Sequence, residues 1–136
     1  MTLIKLNEEH IWGCYYELIV NDNCVQRTVF LEKGGTNSLH RHETEEWMTV
    51  VEGTVKFVLG KDVDSLKETI LPAGGTIYVP KNYWHQITYI DGNYELKGCK
   101  TAIINETMLG NHHNGKYKIE RYWEAKRSDS PKHIAR

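Results

Sequence analysis

Short runs rich in Val, Ile, Thr, Tyr and Trp recur along the chain at near-regular spacing, each closed by Gly, Asn or Asp. β-Branched and aromatic side chains suit the pleated, half-buried surface of a strand, and the closing residues tolerate turn conformations. The pattern predicts strands over 12–20, 25–32, 38–42, 46–51, 54–59, 68–71, 76–79, 84–89 and 100–106, with turns at 21–23, 33–35 and 52–53 and a polar loop over 60–67. Eight or nine short strands, with no long helical period before the end, point to an all-β sandwich or small barrel. Residues 117–126 read as a strand or a short helix, and the polar stretch 128–133 as a frayed tail.

A length of 136 residues fits a single domain over 1–136, with a barrel core over about 12–106 and a C-terminal extension over 107–136. The 17 basic and 18 acidic side chains leave a net charge of −1, which argues against nucleic acid or an acidic membrane surface as partner. No apolar run approaches the roughly 18 residues of a membrane span. The first ten residues lack the apolar core of a secretory signal. Cys14, Cys24 and Cys99 are odd in number and irregularly spaced, so they read as small buried residues in a reducing, cytoplasmic setting.

The chemistry concentrates in two stretches. In the first, GGTNSLHRHETEEWMTVVEG, His40 and His42 stand two apart. Alternate side chains of a strand share a face, so both imidazoles point one way and Arg41 the other. Glu46 follows at the start of the next strand, where the chain doubles back. In the second, GGTIYVPKNYWHQITY, Pro80 ends a strand, Lys81-Asn82 turn the chain, and His85 opens another strand. Three imidazoles and one carboxylate suit a divalent first-row ion such as Mn, Fe, Co, Ni or Zn, with positions left for water or substrate. By parity Ser38, Met48, Ile87 and Tyr89 line the pocket, with Tyr83 a further candidate. Trp47 and Trp84 face the other way. His10, His112, His113 and His133 fall in turns or termini as exposed residues.

These residues resemble the cupin motifs. The first, G-x5-H-x-H-x3-E-x6-G, is met at Gly34, His40, His42, Glu46 and Gly53; the second is met at Gly74, Pro80 and His85. Asn82 replaces a customary glycine and Tyr89 a customary asparagine. The resemblance covers residues 12–106 and implies a jelly-roll β-barrel holding one divalent ion on His40, His42, Glu46 and His85. It also implies a homodimer.

A closer frame is similar to the type II phosphomannose isomerases. Its elements are Trp12-Gly13-x-Tyr15, Gly34-Gly35, Ser38-Leu39, Glu46-Trp47, Gly53-Thr54, Tyr78-Val79-Pro80, Glu106-Thr107-x-x-Gly110 and Ile119-Glu120-Arg121. That family reads Glu-His-Trp where this chain has Glu45-Glu46-Trp47, which makes Glu45 the rival acid. The resemblance implies a small-molecule substrate, a sugar or sugar phosphate, and aldose–ketose isomerisation through a metal-stabilised enediolate. Glu45, Tyr89 and a metal-bound hydroxide are the candidates for moving the proton. Lys81, Arg27 and Arg41 are the candidates for meeting a phosphate. An iron-dependent dioxygenase and a non-catalytic sugar-binding or regulatory cupin are the alternative readings of the same site.

Overall fold

The computed structural model describes residues 4–6, 9–110 and 119–128. The described residues form fourteen strands and no helix: β1 (Ile4–Leu6), β2 (Gly13–Asn21), β3 (Cys24–Glu32), β4 (Gly35–Thr36), β5 (Leu39–His42), β6 (Glu45–Glu52), β7 (Thr54–Gly60), β8 (Lys67–Pro72), β9 (Thr76–Val79), β10 (Trp84–Asp91), β11 (Tyr94–Leu96), β12 (Cys99–Leu109), β13 (Ile119–Trp123) and β14 (Lys126–Arg127). All nine expected strands are present with small shifts at their ends. The short β4, β11 and β14 lack sequence signals because two or three residues are too few to show alternation.

Two antiparallel sheets make a jelly roll. The first runs β1-β2-β3-β12-β6-β9, with β11 also on β12; the second runs β13-β5-β10-β4-β14, with β7 on β10 and β8 on β7. The inner faces enclose Val29, Leu31, Met48, Val50, Val55, Phe57, Leu71, Val79, Ile87, Ala102 and Ile104. Strand register arranges the first sheet's inner face in rows. One row is apolar: Tyr15, Val29, Ile104 and Val50. The next is Glu17, Arg27, Glu106 and Met48, followed by Ile19, Val25, Met108, Glu46 and Val79. One end of the barrel is therefore closed by hydrocarbon and the other is polar.

The C-terminal segment is part of the fold. Residues 119–123 settle as a strand, β13, which adds to β5 with Glu120 opposite Arg41 and Arg121 opposite His40. The Arg41 guanidinium bonds Glu120 at 2.9 Å and lies 4.6 Å over the Trp84 ring, whose edge also meets Tyr122. Trp84 thus faces outward, as its parity requires, and is covered by β13. Arg127 of β14 pairs with Glu32. His112, His113 and His133, and the tail beyond Ser128, lie outside the described residues.

Gly13 fixes the entry to β2. Its φ is +145°, and a Cβ there would stand 2.0 Å from the Phe30 carbonyl oxygen, so the backbones of β2 and β3 could not keep their separation. Gly13→Ala is expected to lower the unfolding free energy by about 2–4 kcal/mol in urea denaturation. A loss under ~0.5 kcal/mol would show that the turn re-forms without strain.

Candidate metal centre

His40 on β5 and His85 on β10 are direct register partners, and His42 lies two residues along β5. Their ligand atoms fall within 4.8 Å of one another. Each ring is oriented by its own backbone. Nδ1 of His40 donates to the Ser38 carbonyl at 2.7 Å, Nδ1 of His42 to the Thr44 carbonyl at 3.0 Å, and Nδ1 of His85 to the Tyr83 carbonyl at 2.9 Å. A proton on Nδ1 leaves Nε2 with its lone pair, the form that ligates a metal. The Asn82 amide donates to the His42 carbonyl at 2.8 Å from a residue with φ of +64°. Asparagine tolerates that left-handed conformation, so the turn keeps its shape without the customary glycine.

Glu46 supplies the carboxylate. It is 1% exposed, with Oε1 2.9 Å from His85 Nε2 and Oε2 3.8 Å from His42 Nε2. Despite that approach, His85 Nε2 has no hydrogen-bond partner of acceptable geometry. The carboxylate oxygen stands beside the ring nitrogen and off its axis. A buried nitrogen facing a buried carboxylate needs either a proton or a cation between them. Neutral imidazoles and a carboxylate are the donor set of a divalent ion, so the residues fit one.

The electrostatics follow from burial and mutual charge. Burial and the charge of His85 push His40 down to about 3, and burial pushes His42 down to about 4. Burial would raise Glu46, but His85 and the other imidazoles hold it at about 2. His85 goes the other way: burial lowers it, and the Glu46 carboxylate more than offsets this and raises it.

The cluster opens into a cavity of about 850 Å³ lined also by Ser38, Met48 and Ile87. Three features of this cavity were given no catalytic or metal role by the sequence. Glu106 lies one register row from Glu46, and burial followed by the Glu46 charge pushes it up to about 7. Arg27, opposite both Glu17 and Glu106, bonds Glu17 at 2.8 Å and stacks 4.4 Å over Tyr15. At the mouth His10 and Trp12 stack at 4.9 Å with planes 4° apart, and Tyr15 is near-parallel to both. His10 is therefore half-buried in the cavity wall, not an exposed turn residue as the sequence suggested. The signal for Glu106 and Arg27 was a charged residue inside an otherwise apolar alternation: Ala102, Ile104, Glu106, Met108 and Val25, Arg27, Val29.

Other sequence candidates lie elsewhere. Glu45 faces outward and accepts a hydrogen bond from the Tyr78 hydroxyl at 2.5 Å, beside the Trp47–Tyr78 pair. Tyr89 shares the inner face of β10 with His85 but sits four residues along, opposite Val55, where its hydroxyl donates to the Gly92 carbonyl. Tyr83 packs against the core and contributes its carbonyl, and Lys81 is exposed at a turn. Arg41 is on the outer face.

The family model described as Cupin domain matches residues 27–97. The chain belongs to the cupin family. This cupin is similar in structure to an oxalate decarboxylase from Bacillus subtilis, with a TM-score of 0.69 and 15% identity over 87% of this chain and 30% of that one. It is similar as well to the Lactobacillus farciminis oxalate decarboxylase in its formate complex, with a TM-score of 0.67 and 21% identity over 87% of this chain and 33% of the other. Another structure of Bacillus subtilis oxalate decarboxylase, described with Mn(II) centres, matches with a TM-score of 0.67 and 16% identity over 84% of this chain and 29% of that one. The cupin spans about a third of each. No curated protein sequence matches it. At these identities the likeness is one of fold, and the phosphomannose isomerase frame rests on the sequence resemblance alone.

The metal-free protein has a defined acid response. His40 and His42 titrate in the unfolded chain near 6.5 but in the fold only near 3 and 4. The unfolded state therefore binds more protons in the interval between, and stability falls as pH drops from about 6.5 towards 4. The raised His85 contributes in full below its unfolded pKa and so adds no slope there, whereas Glu106, raised to about 7, takes up its proton in the fold before the unfolded chain does and offsets part of the slope, one group against two. The melting temperature is expected to fall between pH 7 and pH 5, and to fall less in His40→Asn/His42→Asn. Equal parent melts at both pH values would contradict it.

Proposed function

We propose that this cupin is a divalent-metal-dependent enzyme for a small, oxygen-rich substrate, and that its reaction is aldose–ketose isomerisation of a sugar or sugar phosphate. The observation that carries the reading is the convergence of His40, His42, His85 and Glu46 at the foot of a cavity whose wall holds a second carboxyl, Glu106. His40, His42, His85 and Glu46 would hold the ion, one of Mn, Fe, Co, Ni or Zn. When bound, the ion supplies a Lewis acid that stabilises negative charge on substrate oxygens. Shifting a carbonyl between adjacent carbons then needs a group that takes a proton from one carbon and returns it to the other.

Glu106 is placed for that work. Its carboxyl is held near neutrality, where either protonation state is accessible, although a cation on the neighbouring ligands would draw it down. The Glu17–Arg27 pair restrains the space beside it, and the parallel rings of His10 and Trp12 give a flat wall against which a sugar's C–H face packs. Glu106 replaces Glu45 and Tyr89 as the proton carrier, because the structure turns Glu45 outward and puts Tyr89 at the closed end.

Metal analysis by mass spectrometry tests the site. About one ion per chain is expected in the parent and in Glu45→Ala, and little in His85→Ala or Glu46→Ala. Loss in Glu45→Ala with retention in Glu46→Ala would reverse the ligand assignment. For the chemistry, Glu106→Gln is expected to keep its metal and lower kcat on a hexose phosphate by about 10²–10⁴ with little change in KM. Oxygen uptake by the iron-loaded protein, or tight sugar binding without turnover, would replace the isomerase by the dioxygenase or the binding cupin.

A further inference from the structure

An arginine exposed at a cavity mouth keeps its hydration without a protein partner, so its guanidinium is available to an anionic ligand that enters there. This cupin has two arginines lining the cavity, Arg27 and Arg121. Arg27 is bonded to Glu17. Among the described residues Arg121 has no carboxylate partner, although Glu9 and Glu124 line the same mouth and Glu9 is engaged by Lys97.

Register aims Arg121 at the site. On β13 it is the Cα partner of His40, and residues directly opposite in an antiparallel pair project from the same face about 5 Å apart. His40 points inward, so Arg121 does too. The preceding residue, Glu120, is opposite Arg41 and bonds it on the outer face, which confirms the alternation. The Arg41–Trp84 stack beneath Tyr122 then fastens β13, so Arg121 is carried on an anchored strand.

We propose that Arg121 is an anion subsite: it binds a phosphate or carboxylate group of the substrate at the cavity mouth while the substrate's other end reaches the imidazole cluster. A planar guanidinium presents paired N–H donors that match either oxyanion. The role expected for Lys81, Arg27 or Arg41 falls to Arg121, since Lys81 does not line the cavity, Arg27 is bonded to Glu17, and Arg41 faces outward. The subsite deepens the proposed function and rests on it for the second anchor of the substrate, but anion binding itself does not require the metal.

The test is calorimetric titration of the full chain, metal-free and metal-loaded, with inorganic phosphate, a hexose 6-phosphate, a hexuronate and the neutral hexose. Arg121→Gln is expected to weaken the anionic sugar by roughly ten- to a hundredfold and leave the neutral hexose unchanged. Arg121→Lys should recover part of the loss, and Lys81→Gln, in the exposed turn outside the cavity, should bind as the parent does. Preference for phosphate or for carboxylate identifies which oxyanion the substrate carries. Metal content and melting temperature are read on every variant, so a failed metal centre is seen separately from a failed anion subsite. Parent-like binding of both anionic sugars by Arg121→Gln with an intact fold would overturn the proposal, as would binding of the neutral hexose as tight as the anionic ones.

Discussion

The geometry of this barrel's polar end depends on three hydrogen bonds that never touch a ligand. Each imidazole gives its Nδ1 proton to a backbone carbonyl two residues away, at Ser38, Thr44 and Tyr83. The donors and acceptors are local in sequence, so each ring is set by the strand that carries it. The long-range task left to the fold is to bring β5 and β10 together with His40 opposite His85. The three rings then bring their ligand atoms together at one point. Glu46 arrives from the other sheet and closes the set, which makes the cluster a point of attachment between the two layers.

Charge is graded outward from that cluster. Glu46 is held ionised by the imidazoles, Glu106 is pushed towards neutrality by burial and by Glu46, and Arg27 is tied to Glu17 one strand further on. Neighbouring rows of one sheet thus carry carboxyls with different proton affinities, a separation that comes from position and not from residue type. Removing the Arg27 charge would raise Glu106 further, since Arg27 is the largest influence that lowers it.

Much of this was legible in the sequence, and the rest was hidden for specific reasons. The shared face of His40 and His42 follows from the two-residue period of a strand, and the same period put Trp84 and Arg41 outside. Parity gives a side chain's face but not its depth. Tyr89 has the parity of His85 yet sits about 13 Å along the strand, at the closed end. Motif spacing favoured Glu46 over its chemically identical neighbour Glu45 while the phosphomannose isomerase frame favoured Glu45, and the burial of Glu46 and the Tyr78 bond of Glu45 separate them in the fold. Glu106 and Arg27 broke an apolar alternation in plain view, but their meaning depends on β12 lying between β3 and β6, a pairing of segments dozens of residues apart.

That placement of β12 also governs the order of assembly. Residues 99–109 pair on one side with β3 and on the other with β6, so a growing chain that has not yet reached them holds two long strands with open edges facing each other across a gap. Such edges are templates for pairing with a neighbouring molecule. Closure of the first sheet is deferred until the strand that carries Glu106 has emerged, and nascent chains shorter than that are the species most in need of a chaperone.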